Sequence, residues 1–131
     1  RKRSFWWFWR IIFKIMLSDQ DLHNLAMNTF GDSLKKDGYE FLSVNSKLKK
    51  DPQFVCLKKK KIHFFIVRAV KYPTNPKKYD LVLVDKIRKH ALKYNASSYY
   101  AGVGIANSKN YENPVEFNKP YAINFEGWIK L

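Results

Sequence analysis

Apolar positions along this chain switch between a helical period and a strand period, and the switches mark its elements. Ser18-Asp19-Gln20-Asp21 reads as an N-cap followed by acids in a first turn, where the helix dipole favours them. Leu22, Leu25, Ala26, Thr29, Phe30 and Leu34 then recur at helical spacing until Asp37-Gly38 stops the pattern. Residues 39–45 are rich in strand formers, residues 46–52 form a polar turn, and residues 53–58 predict a second strand. Lys58 to Lys61 predict a tight basic hairpin into a third strand at 62–70. Two prolines make 71–78 a loop. A second helix is predicted over 79–94, with Val84, Ile87 and Ala91 on its apolar stripe and Lys86, Arg88, Lys89 and Lys93 facing out. Asn95-Ala96 breaks it. Residues 98–107 are almost continuously apolar, as in a strand covered on both faces. A polar loop at 108–120 and a last strand at 121–125 complete the pattern.

The predicted order is α-β-β-β-α-β-β: an α/β (α+β) domain whose mixed sheet is flanked by helices. With 131 residues and no internal repeat or linker, residues 17–131 form one globular domain, preceded by a separate segment at 1–16. This order resembles the core of the restriction-endonuclease-like fold. Active members of that superfamily hold a divalent cation between an acid on the second strand and a Glu/Asp-x-Lys triplet on the third. Here the triplet falls on Ala69-Val70-Lys71, which keeps the lysine and lacks the acid. The second strand has no carboxylate, Asp51 lies before it beside Pro52, and none occurs between Ile62 and Lys71. A metal-dependent nuclease is disfavoured, unless acids such as Glu40, Asp80 or Asp85 arrive from elsewhere in the fold.

Charge changes the picture more than composition does. The chain is 46% hydrophobic, enough for a core, but its formal charge is +14. Residues 1–15 hold five basic side chains and no acid, so residues 16–131 carry +9 in their own right. A field of that sign favours an anionic partner, with nucleic acid first. The expected contacts are Lys47, Lys49, Lys50, Lys58, Lys59, Lys60, Lys61, Lys71, Lys77 and Lys78, which a meander could bring to one edge along a phosphate backbone. Tyr72, Tyr79, Tyr99 and Tyr100 are candidates for stacking on unpaired bases.

The first segment, RKRSFWWFWRIIFKIML, supports two readings. One is an interfacial amphipathic helix with Trp6, Trp7 and Trp9 at headgroup level, and Arg10 and Lys14 on its polar side. The other makes Met16 the natural start and leaves 1–15 as upstream sequence. Charge interrupts the segment too often for a membrane span or a signal peptide. The expected setting is cytoplasmic, with contact at the inner membrane face if the segment anchors there.

Other chemistry fails on spacing. His23, His63 and His90 have no HxxxH or CxxC partner, so no metal site is expected. Gly102-Val103-Gly104 lacks the continuation of a dinucleotide loop, and its glycines predict close packing of a helix on that strand. The stretches FFIVRAVKYPTNPKKY and YYAGVGIANSKNYENPV are similar to small bacterial proteins often labelled as a subunit of the Na(+)-translocating NADH-quinone reductase. That label implies a four-cysteine iron–sulfur site with flavin and NADH segments, and the single Cys56 contradicts it. No cofactor is expected. The function that follows is a non-catalytic domain binding an anionic partner. The alternatives are a membrane-peripheral or protein-interaction adaptor, and a divergent nuclease.

Overall fold

The computed structural model describes residues 16–131. Its elements run α1 (Asp19–Lys36), β1 (Glu40–Val44), β2 (Phe54–Lys58), β3 (Lys61–Lys71), α2 (Leu81–Leu92), β4 (Ser97–Asn107), β5 (Tyr121–Asn124) and β6 (Ile129–Lys130). The amphipathic segment expected around Trp6, Trp7, Trp9, Arg10 and Lys14 lies outside the described residues.

α1 starts where its capping chemistry dictates. The Ser18 hydroxyl accepts from the Asp21 amide at 3.1 Å, and the Asp21 carboxylate accepts from the Ser18 amide at 3.0 Å, which closes a capping box. Those bonds hold the Asp21 carboxyl below its ordinary pKa. Asp80 caps α2 without a reciprocal box, accepting from the Val82 amide at 2.9 Å. That helix therefore starts and ends two residues inside the predicted span.

The sheet runs β1-β2-β3-β4-β5, antiparallel throughout except for β3 and β4, which pair in parallel from His63↔Ser97 to Lys71↔Ile105. α2 is the crossover between those two parallel strands. β6, too short to register as a period in the sequence, adds to β4 beside β5 through Tyr99↔Lys130 and Tyr100↔Ile129. The observed class is α+β, with six strands in a mixed sheet and a helix on each face.

Strand alternation sends Phe65 and Val67 to the α1 face and Ile66 to the α2 face. Phe30 of α1 is the hub of the larger layer. Its ring lies 5.2 Å from Phe65, 5.6 Å from Phe54 and Trp128, and 5.8 Å from Phe125. Full burial of one such ring stabilises the fold by roughly 1.5–3 kcal/mol. β4 is buried from Tyr100 to Ile105, as expected of a strand covered on both sides.

The glycines of β4 admit a loop, not the helix expected from sequence. The turn after β3 folds back so far that a Cβ on Gly102 would sit 1.8 Å from the Pro76 carbonyl oxygen. α2 packs further down the strand, through Val84 and Ile87 on Ile66 and Tyr100. Pro76 of that loop also closes on Gly104, where a Cβ would sit 3.0 Å from its ring.

Candidate functional site

β3 is 11 residues long, so at about 3.3 Å per residue its ends lie roughly 33 Å apart. That distance divides the ten candidate lysines. Lys47, Lys49, Lys50, Lys71, Lys77 and Lys78 belong to the loops at the carboxyl end of β3, whereas Lys58 to Lys61 form the hairpin at its start. They do not converge on one edge, because an antiparallel β2 must return its hairpin to the far end of the sheet from Lys71.

At the carboxyl end of β3 lies Ala69-Val70-Lys71, the stretch on which the fold resemblance placed the triplet. Asp51 does reach β3 there, but a cation already holds it. Arg68 Nη1 donates to Asp51 Oδ1 at 2.7 Å and Nη2 to Oδ2 at 2.6 Å, a bidentate pair whose carboxylate is only 7% exposed. Gln53 Nε2 donates to Asp51 Oδ1 at 2.7 Å, while Gln53 Oε1 accepts from the Val67 amide at 2.8 Å. The Gln53 side chain thus extends the β2–β3 ladder past the start of β2. Lys71 reaches across to Asp19 Oδ1 at 3.0 Å. Glu40 lies at the opposite end of the sheet, Asp80 caps α2, and Asp85 is held below its ordinary pKa by hydrogen bonds from Arg88 and Lys89. Among the described residues, no three His, Cys, Asp or Glu side chains come together to hold a metal ion.

The other single candidates take structural places. Burial pushes the Cys56 thiol up to about 12, so it is not a thiolate at neutral pH. His63 Nδ1 lies 3.1 Å from the Tyr99 hydroxyl, and His23 is completely buried on the inner face of α1. Of the four tyrosines, Tyr99 stacks on Phe65 at 4.9 Å and Tyr100 is buried, with Tyr79 tilted against it. Only Tyr72 is half exposed among them.

The hairpin end is where the positive charge collects. Lys58 to Lys61 are joined there by Lys35 and Lys36 at the end of α1, Lys93 at the end of α2, and Lys130 of β6. The nearby acids are Asp32, Asp37 and Glu40, so eight lysines outnumber three carboxylates. Lys58 takes up part of that compensation, with its ammonium 3.1 Å from Asp37 and 4.7 Å above the Tyr39 ring. At the carboxyl end, by contrast, the cations are interleaved with Asp19, Asp21, Asp51, Asp80, Glu112 and Glu116. Tyr94 adds an exposed aromatic ring beside the hairpin end, packed 5.4 Å from His90 and 6.0 Å from Phe64.

The hairpin tip is also strained. Lys58 pairs directly with Lys61, so Lys59 and Lys60 are the two central residues of the turn, with φ of 50° and 62°. A two-residue turn of that hand strongly prefers Asn-Gly, because side chains with a Cβ resist positive φ. The double variant Lys59→Asn/Lys60→Gly is expected to stabilise the fold by about 1–2 kcal/mol, seen as a higher urea midpoint at unchanged slope. A variant no more stable than the parent would show that the turn holds no such strain.

No helix among the described residues is long and apolar enough to cross a membrane. No curated protein and no solved structure matches this chain. A family model described as "Domain of unknown function (DUF8840)" matches residues 20–131, from the first turn of α1 to the last residue. The chain belongs to that family.

Proposed function

We propose that this family member is a non-catalytic domain that binds nucleic acid through the end of the sheet formed by the Lys58–Lys61 hairpin. The observation that carries the reading is the pairing of charge with strain. Eight lysines gather around three acids, and the outermost two occupy backbone positions that favour Asn-Gly. A solvated surface that merely keeps a protein soluble has no reason to place lysine where the backbone disfavours it. Phosphates along a strand fit such a cluster, since each contact releases condensed counterions. The Asp51–Arg68 pair supports the non-catalytic half of the reading, because a guanidinium occupies the carboxylate that a metal would need.

Fluorescence anisotropy with labelled single- and double-stranded oligonucleotides, at about 50 and 200 mM salt, tests the proposal. Binding should weaken steeply with salt. The Lys59→Asn/Lys60→Gly variant should bind more weakly while folding more stably, and its log–log salt slope on duplex should shrink by roughly 1.8 for two lost phosphate contacts. Affinity no better than millimolar at the lower salt, or a turn variant that binds like the parent, would overturn it.

A further inference from the structure

We propose that the cleft over the carboxyl ends of β3 and β4 binds a neutral heteroaromatic ring of nucleobase size, at a site separate from the basic hairpin. The cleft holds about 560 Å³, inside the roughly 300–1,000 Å³ range of small-molecule sites. It exists because α2 covers too little of the sheet. That helix packs on Ile66 and Tyr100, and leaves uncovered the next stretch of the same face, where Val70 pairs with Gly104 and Ala106 with Ala122. The loops after β3 and β4 diverge around this strip, the position in parallel α/β units where ligands are commonly received.

The lining indicates the ligand's chemistry. Not one of its thirteen residues is charged, in a domain whose described residues carry +9. The adjacent lysines are turned away, Lys71 to Asp19 and Lys77 to Glu126, both at 3.0 Å. An anion therefore gains nothing inside the cleft that it could not gain outside, and a neutral ligand loses nothing.

Its apolar floor suits a flat molecule, and its wall is aromatic. Tyr72 and Tyr111 come from the two different loops, with ring centroids 5.4 Å apart, each residue about half exposed (50% and 51%). Exposed π-faces fixed against each other offer stacking surface at little loss of side-chain freedom. Asn124 lines the cleft with no side-chain hydrogen bond to any described residue, and Asn75 uses its oxygen to accept from the Lys77 amide at 3.0 Å, leaving its NH₂. Carboxamides of that kind match the adjacent donors and acceptors of a nucleobase edge.

Amide chemical-shift mapping with adenosine and uridine, both uncharged, tests the site on the whole chain. Saturable shifts are expected at the amides of 70–72, 74, 75, 104–106, 111 and 122–124. Tyr72→Ala or Tyr111→Ala should weaken binding about tenfold or more, as loss of a stacking partner does, while Tyr72→Phe keeps it. Lys59→Asn/Lys60→Gly should leave nucleoside binding unchanged, so this proposal and hairpin binding fail separately. Three outcomes would overturn it: no shifts at millimolar nucleoside, shifts confined to the hairpin end, or equal affinity for phenol, a neutral ring without the base edge.

Discussion

Replacing Arg68 with alanine is expected to cost about 3–5 kcal/mol of folding stability, seen as a lower urea midpoint with little change in slope. The reason is what the change leaves behind. The Asp51 carboxylate is 7% exposed and receives both Arg68 donors within 2.7 Å, so its charge would remain buried with only Gln53 for a partner. Burying an isolated carboxylate is far more costly than burying a neutral group of equal size. The damage should also spread along the chain. Gln53 links Asp51 to the Val67 amide, and through it the loop before β2 is held against β3 beyond the last β2–β3 pair. Removing both charges at once should be much milder, because neither is then stranded. The double variant Asp51→Leu/Arg68→Leu is expected to lie well above the sum of the single losses, the signature of a coupled pair. Arg68→Ala within 1 kcal/mol of the parent, on the roughly ±0.5 kcal/mol scale of exposed sites, would mean that the pair is solvated in practice.

That pair shows where sequence stops being informative. Helix α1 was legible because its cap, its apolar spacing and its stop agree within one short window, and β4 was legible because a run without polar alternation implies cover on both sides. Asp51 and Arg68 are 17 residues apart, one in a polar turn and one in a strand, and no period relates them. Proximity to Pro52 made Asp51 look like a turn residue, yet it is a buried partner in a loop that Gln20 of α1 also holds, through Leu48 and Ser46. Long-range side-chain networks of this kind leave no local trace.

The lysines differ, because their separation was implicit in the chain. A hairpin at Lys58–Lys61 followed by a strand as long as β3 must leave Lys71 roughly 33 Å away, by strand geometry alone. Reading all ten as one surface gave weight to their number and too little to the length of the strand between them. The β4 glycines teach a related lesson. Their smallness did signal close approach, but which segment approaches depends on the path of the loop after β3, and that is settled in three dimensions.

Replacing His23 with leucine is expected to raise stability by about 1–3 kcal/mol at neutral pH, the scale of a buried polar group without a hydrogen bond. His23 is fully buried, and neither ring nitrogen has a hydrogen-bond partner among the described residues. Burial holds its pKa below the ordinary histidine value. The Arg68 guanidinium pushes the same way, and Asp51 opposes both. The sign of the pH dependence follows. As pH falls through about 6.5, the unfolded chain takes up a proton on this histidine that the folded chain resists, so the unfolded state binds more protons and stability declines on the acid side. Stability is therefore fully present above that pH and is progressively lost below it, toward the lowered folded-state value. His63 is shifted in the same direction, first by burial, with Lys61, Lys58 and Lys130 adding to it and a backbone hydrogen bond at Lys58 opposing. Its contribution should survive the substitution. Urea midpoints compared at about pH 7.5 and 5.5 should thus show a reduced but non-zero acid loss in His23→Leu, against the full loss in the parent. A variant that is less stable at neutral pH, or one with the parent's full acid loss, would mean that His23 is solvated or bonded in solution and that this position is not an orphaned imidazole.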